Sequence, residues 1–264
     1  MADRIHVGIL GAMGRMGQEL VQAVLKTKGL DLAAGSERED HRMVGGAIPG
    51  TDAPLFSKAK DVFKASDVVI DFTSPGNTAV HAALAGDTKT ALIVGTTGIS
   101  KDDDALLDEA GNLAVIIQAG NMSMGVNLLT ALTRRVAKAL DNDWDIEVYE
   151  AHHRNKVDAP SGTALMLGEA AAAGRGVNHD DVCDRGRDGL TGARKRGAIG
   201  YSAMRGGGIV GEHTVGFYSE NERLELSHRA ENRGLFASGA MKAALWSKGQ
   251  KNGRYDMLDV LGIV

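Results

Sequence analysis

Fifteen residues near the middle of the chain, Glu150-Ala-His-His-Arg-Asn-Lys-Val-Asp-Ala-Pro-Ser-Gly-Thr-Ala164, concentrate groups that move protons or hold anions. His152 and His153 carry imidazoles, which titrate near neutrality and serve as general acids or bases. Lys156 adds a cation that can donate a proton or hold an anion. The segment runs into an apolar, alanine-rich helix expected to begin near Thr163. Pro160 suits the approach to a helix. The backbone N–H groups of Gly162 and Thr163 fall in its first turn, where the helix dipole favours negative charge. The expected chemistry is a site that binds a carboxylate or phosphate and delivers a proton beside it. The alternatives are histidines that serve the core or the surface, and a lysine that is only a surface charge. No metal is expected. Adjacent histidines on a strand point to opposite faces, zinc needs further ligands, and the one cysteine, Cys183, is distant in sequence.

A second constellation lies at the N-terminus. Gly11-Ala12-Met13-Gly14-Arg15-Met16-Gly17 follows an apolar strand and opens a helix. Small residues there let backbone N–H groups approach a pyrophosphate. The Gly-x-x-Gly-x-x-Gly spacing puts Ala12 where the commoner fingerprint has its first glycine, so the motif alone is weak. Glu37 lies twenty residues after Gly17, where an acid can bind ribose hydroxyls, and Arg38 can pair with a 2′-phosphate. Gly95-Thr96-Thr97-Gly98 and Ala119-Gly120-Asn121-Met122 end two further strands. Together they predict a dinucleotide crevice that accepts NADH or NADPH. A solvated Glu-Arg pair is the plainer alternative for Glu37 and Arg38.

The elements that must position these groups follow from periodicity. Short apolar runs at Ile5–Leu10, Leu32–Gly35, Val68–Phe72, Ala91–Gly95 and Leu113–Ile117 alternate with helical stretches, which predicts a parallel sheet covered on both faces. After Asn121 the pattern changes. Val126, Leu129, Leu132, Val136 and Leu140 trace an amphipathic helix. Trp144 to Tyr149 alternate as a strand with one polar face. A helix at Ser161–Ala173 follows, then a charged, glycine-rich stretch from Gly174 to Arg196 expected to be a long loop. Ala198–Met204, Ile209–Tyr218 and Arg223–Arg229 are strand candidates for an antiparallel or mixed sheet, and a last helix is expected over Leu235–Ser247. The fold class is α/β: a Rossmann-type domain over residues 1–122 and a smaller α+β domain over 123–232. The segment from about 233 to 264 is expected to pack back on the first domain.

Composition bounds the partners. Hydrophobic residues make up 43% of the 264, enough for a sizeable core, but aromatics are 4%, so aliphatic residues must fill it. The net charge of −4 carries no long run of one sign, which argues against nucleic acid. Arg194-Lys195-Arg196, the densest basic cluster, is expected to be a solvated loop. No stretch approaches the roughly 18 apolar residues that span a membrane. With one cysteine and no recognisable secretory signal, a soluble protein of a reducing compartment, the cytoplasm, is expected.

These residues resemble the dihydrodipicolinate reductase family. The resemblance covers nearly the whole chain and rests on Gly11–Gly17, Asp71-Phe-Thr73, Gly95–Gly98, Glu150–Ala164, Gly211-Glu-His213, Ala243–Trp246 and Tyr255–Leu261. The histidine segment is specific to that family; the glycine turn is not. The resemblance implies hydride transfer from NADH or NADPH to 4-hydroxy-tetrahydrodipicolinate, a cyclic dicarboxylate of the diaminopimelate and lysine pathway. It also implies a homotetramer assembled through the smaller domain. By the family pattern, His152 is the proton donor or acceptor and Lys156 the proton donor. His153, Gly162 and Thr163 hold the substrate, with Ser161 nearby. Gly11–Met16, Glu37, Arg38, Gly95–Thr97 and Ala119–Met122 hold the cofactor, Gly120 and Met122 being unusual choices. Two other readings are a different nicotinamide dehydrogenase and a non-catalytic nucleotide sensor. Neither needs the His-His-Arg-Asn-Lys…Ser-Gly-Thr segment.

Overall fold

The computed structural model describes residues 4–263. The chain divides into two compact units, one running to Ser123 and resuming at Gly234, the other spanning Met124–Arg233.

The first unit opens with β1 (Ile5–Leu10), α1 (Arg15–Lys26), β2 (Leu30–Ser36), β3 (Leu55–Phe56), α2 (Ala59–Ala65) and β4 (Val68–Asp71). It continues through α3 (Thr78–Thr88), β5 (Ala91–Val94), α4 (Lys101–Gly111) and β6 (Val115–Gln118). Leu113, expected in the last of these strands, lies before it and is exposed. The second unit contains α5 (Met124–Ala139), β7 (Asp145–His152), α6 (Gly162–Arg175), α7 (His179–Val182), β8 (Cys183–Asp184), β9 (Ile199–Arg205), β10 (Gly211–Tyr218) and β11 (Arg223–Ala230). The chain then returns to the first unit as α8 (Gly234–Ser247), β12 (Gly253–Tyr255) and α9 (Met257–Leu261).

All seven strands of the first sheet are parallel, in the order β12-β6-β5-β4-β1-β2-β3. Alternation along each strand sends side chains to opposite faces. Val7, Ile9, Ile70 and Ile93 pack with Leu20, Val24, Ala240 and Ala244 of α1 and α8. Val69, Leu92, Val94 and Ile116 pack with Val62, Phe63, Ala85 and Leu107 of α2, α3 and α4. The order reverses between β1 and β4, and in such sheets that reversal opens a crevice at the carboxyl ends of the strands.

The second sheet has the order β11-β10-β7-β9-β8, antiparallel on one side of β7 and parallel on the other. Ile146, Val148, Ile199, Val215 and Phe217 pack against Leu129, Ala164, Leu167 and Ala171 of α5 and α6. The α/β class and the mixed second sheet agree with the sequence reading. The stretch from Gly174 to Arg196 does not, because it contains α7 and β8. Arg194 is no solvated loop residue either. Its guanidinium donates to Glu147, Asp145 and the carbonyls of Ile146 and Ala198 at 2.7–2.8 Å. Among the described residues no helix is long and apolar enough to cross a membrane.

Candidate active site

On the first unit the residues singled out for a dinucleotide line the carboxyl edge of the parallel sheet. Gly11 follows β1 with φ +66°, a left-handed conformation that glycine adopts without strain. Ala12 is buried and donates its N–H to Ser36 O at 2.9 Å, which ties this turn to the end of β2. Gly17 is required by packing, since a Cβ there would meet Gly11 O at 2.1 Å and Ala12 at 2.7–2.8 Å. Gly14 caps α1 with no side-chain hydrogen bond and no acid in the first turn, so the positive helix end is left to an anion. Gly14 and Arg15 are exposed, while Met13 and Met16 pack partly on the core.

Glu37 directly follows β2 and its carboxylate accepts from Arg38 N at 3.1 Å; the Arg38 side chain is 82% exposed. Gly95 lies under Phe72, whose ring a Cβ would meet at 2.4–2.6 Å. Thr96 is buried and Thr97 exposed. After β6, Ala119 and Met122 are buried, Gly120 is exposed, and Asn121 Oδ1 accepts from Ser123 N at 2.8 Å. A glycine cradle, an uncapped helix start and an acid after β2 fit a dinucleotide: room for a pyrophosphate, donors for its charge and an acceptor for ribose.

On the second unit the chemistry gathers at the end of β7. Glu150 and His152 are two apart on one strand and therefore share a face. The Glu150 carboxylate, 1% exposed, receives four donors. Oε1 accepts from Arg205 Nη2 (2.6 Å) and Ser161 N (3.1 Å). Oε2 accepts from Arg205 Nη1 (2.8 Å) and pairs with His152 Nδ1 (2.5 Å). Burial opposes ionisation of Glu150, but the Arg205 and His152 hydrogen bonds outweigh it and hold the carboxyl below its usual range. Burial also pushes His152 down, aided by the charges of Lys156 and Arg205, against the pull of Glu150. The balance shifts His152 toward the neutral imidazole, with Nδ1 committed to Glu150.

Its Nε2 faces Gly211, where a Cβ would come within 3.1 Å. His213 stacks edge-on against His152 at 5.1 Å, and its Nε2 lies 3.1 Å from Ser161 Oγ. Burial, with His152 nearby, pushes His213 down to about 4. Ser161 is the N-cap of α6 and accepts from Ala164 N at 3.2 Å, so the start of α6, with Gly162 and Thr163 in its first turn, is tied to the histidines. His153 follows the strand, and its buried Nδ1 has no hydrogen-bond partner among the described residues. Lys156 turns to Asp158, Nζ to Oδ1 at 2.8 Å.

Residues 5–122 match the family model described as "Dihydrodipicolinate reductase, N-terminus", and residues 125–261 match "Dihydrodipicolinate reductase, C-terminus". The chain belongs to the dihydrodipicolinate reductase family. A 4-hydroxy-tetrahydrodipicolinate reductase of Dinoroseobacter shibae is 53% identical over the whole of both chains. One from Bradyrhizobium diazoefficiens is 51% identical over 97% of this chain and 96% of its own. A dipicolinate-bound dihydrodipicolinate reductase from Paenisporosarcina sp. TG-14 superposes with a TM-score of 0.81 at 25% identity, covering 97% of this chain and 98% of that one. Such family members are reductases that use a nicotinamide cofactor.

Glu150, Arg205 and His213 received no role from the sequence. Glu150 heads the histidine segment and His213 closes Gly211-Glu-His213. Their partnership comes from strand register, which sets Glu150 opposite His213 and His152 opposite Arg205.

Proposed function

We propose that this chain reduces (2S,4S)-4-hydroxy-2,3,4,5-tetrahydrodipicolinate to tetrahydrodipicolinate with NADH or NADPH, taking up a proton and releasing water. The observation that carries the reading is the Glu150–His152 pair, clamped by Arg205 and joined to the start of α6. A reduced nicotinamide, when bound, supplies the hydride. The first unit is assigned to it, with Gly11–Met16 and α1 at the pyrophosphate, Glu37 and Arg38 at the adenosine ribose, and Gly95–Thr97 and Ala119–Met122 along the rest. Glu37 and Arg38 favour opposite cofactors, an acid for a free ribose and a cation for a 2′-phosphate, so use of both NADH and NADPH is expected.

The second unit is assigned to the substrate. Its two carboxylates ask for cations and helix-start N–H groups; Lys156 offers the charge, Gly162 and Thr163 lie at the helix start, and His153 and Ser161 stand beside them. A dianion beside His152 favours the imidazolium, so substrate arrival moves His152 from neutral toward charged. Glu150 fixes the ring with Nδ1 inward, and the proton is exchanged at Nε2. Lys156, released from Asp158 by a substrate carboxylate, is the second proton donor. Reduction leaves electron density on the ring that must be protonated, and a donor fixed beside it is worth roughly 10²–10⁴-fold. A homotetramer in the cytoplasm is the expected setting, supported by family resemblance and by exposed Tyr149 and Met204 on the second sheet.

The test is loss of reduced-nicotinamide absorbance with freshly generated substrate, NADH and NADPH run in parallel, alongside H152Q. Fast substrate-dependent oxidation by the wild type is expected. In H152Q turnover should fall far more than cofactor affinity. No oxidation by folded protein that binds nucleotide would reject the reductase reading.

A further inference from the structure

Asp71, the last residue of β4, is completely buried at the carboxyl edge of the parallel sheet. Burying a carboxylate is unfavourable unless it is paired and hydrogen-bonded. Asp71 has both. Its Oδ2 pairs with His81 Nδ1 at 2.6 Å, and its Oδ1 accepts from Thr73 N at 2.8 Å and Thr73 Oγ1 at 2.6 Å. His81 comes from α3, is itself buried, and leans against the Phe63 ring of α2 at 6.4 Å. The pair is therefore little screened by solvent.

The hydrogen bonds continue into the neighbouring strand ends. Thr73 O accepts from Thr96 Oγ1 at 3.2 Å, and Asp71 O accepts from Gly95 N at 2.9 Å. Thr73 Cγ2 lies where a Cβ on Gly11 would meet it at 3.2 Å. One carboxylate thus fixes Thr73, and Thr73 spans the glycine turn after β1 and the Gly95–Gly98 loop after β5. A buried charge held in a network is a poor device for stability alone, because an apolar residue of similar size often serves as well. Its distinguishing property is that it dictates one geometry for three loops.

We infer that Asp71, paired with His81, is a positioning residue for the dinucleotide edge: through Thr73 it presets the loops after β1, β4 and β5 before the cofactor arrives. This rests on the reading that the edge takes a reduced nicotinamide dinucleotide. Asp71 acts through Thr73, so its loss weakens cofactor binding and leaves the chemical step nearly intact.

The experiment measures NADH and NADPH affinity by fluorescence titration, and kcat and KM for nucleotide and substrate, in wild type, D71N, H81L, H81N and T73V. D71N and H81L should raise the nucleotide Kd and KM by about tenfold or more, equivalent to losing one or two charge-assisted hydrogen bonds. At saturating nucleotide kcat should stay within about threefold, and substrate KM should not move. H81N places an amide N–H near the position of Nδ1 and should recover much of the loss. T73V keeps the Asp71–His81 pair intact and should weaken nucleotide binding several-fold, so it carries the test if D71N does not fold. Wild-type nucleotide affinity in folded T73V or H81L would overturn the inference, as would a loss shared equally by kcat and both KM values. A wild-type protein that binds neither nucleotide would instead overturn the assignment of the edge, and this inference with it.

Discussion

Replacing Glu150 by glutamine is the sharpest probe of the second unit, because it changes charge and almost nothing else. Two donors press on each carboxylate oxygen: Arg205 Nη2 and Ser161 N on Oε1, Arg205 Nη1 and His152 Nδ1 on Oε2. A glutamine must set its NH2 against one of these pairs, so no rotamer keeps all four bonds. Breaking a buried ion pair from one side costs about 3–5 kcal/mol. The Arg205 side chain keeps 21% exposure and can turn to water, so the loss should fall at about 2–3 kcal/mol. The effect on turnover should be larger. His152 loses the acceptor that fixes its ring and tautomer, and a misoriented acid–base group forfeits much of its contribution, about 10²–10³-fold in kcat. The carboxylate raises the His152 pKa, so its removal should also move the alkaline limb of the kcat profile, where the donor loses its proton, to lower pH. The assay is nicotinamide absorbance against pH, with urea unfolding to show that the variant is folded and E150D to restore the charge. A folded E150Q with kcat within about threefold of wild type and a superimposable pH profile would refute the positioning argument.

Gly211→Ala puts a methyl 3.1 Å from His152 Nε2; kcat should fall on the order of tenfold or more, with nucleotide affinity by fluorescence unchanged. His213 binds its proton later in the folded chain, at about 4, than in the unfolded chain near 6.5. Protonation therefore favours unfolding, and stability should decline as pH falls below about 6.5, by on the order of 3 kcal/mol once pH 4 is reached; urea titrations should show this component missing in H213Q. Arg194→Ala removes a donor from Asp145, Glu147 and two backbone carbonyls, with Glu147 keeping Arg187 as a partner. It should lower unfolding free energy by about 2–4 kcal/mol while turnover per folded molecule stays near wild type.

Legibility in the sequence followed the length of each pattern. The strands of the first unit read as continuous apolar runs because helices cover both faces of the sheet. Leu55–Phe56, Gly253–Tyr255 and Cys183–Asp184 are too short to carry a period, and they pair only because a neighbouring strand offers an edge. The segment proposed to handle protons stands out because His152, His153, Lys156 and Ser161 are close in sequence. Its supports do not. Arg205 lies 55 residues beyond Glu150, and His213 lies 52 beyond Ser161. Only the register of β9 and β10 on β7 delivers them. Asp71 and His81 escaped a role for a different reason, since a lone acid at a strand end looks the same whether it is solvated or sealed.

The two units each bury a carboxylate against a histidine, and the difference between them fits the separate roles proposed for them. At Asp71 burial is offset by His81 and by the Thr73 hydrogen bonds, so the histidine is tied to holding the charge. At Glu150 an arginine takes that task. Arg205 neutralises the carboxylate and adds its own positive field, which with burial pushes His152 toward the neutral form and leaves Nε2 available. Arg205→Met should therefore reverse the situation. With the guanidinium gone, Glu150 has only His152 as a cationic partner, and the field that disfavoured the imidazolium is removed. The His152 pKa should rise, seen as an upward shift in its imidazole NMR titration and in the alkaline limb of kcat. E150Q should shift both in the opposite direction. Opposite shifts from the two ends of one ion pair cannot come from general loosening of the fold, which would move both variants the same way. Shifts of the same sign would mean that burial alone sets His152 and that the Glu150–Arg205 pair only ties the strand ends together.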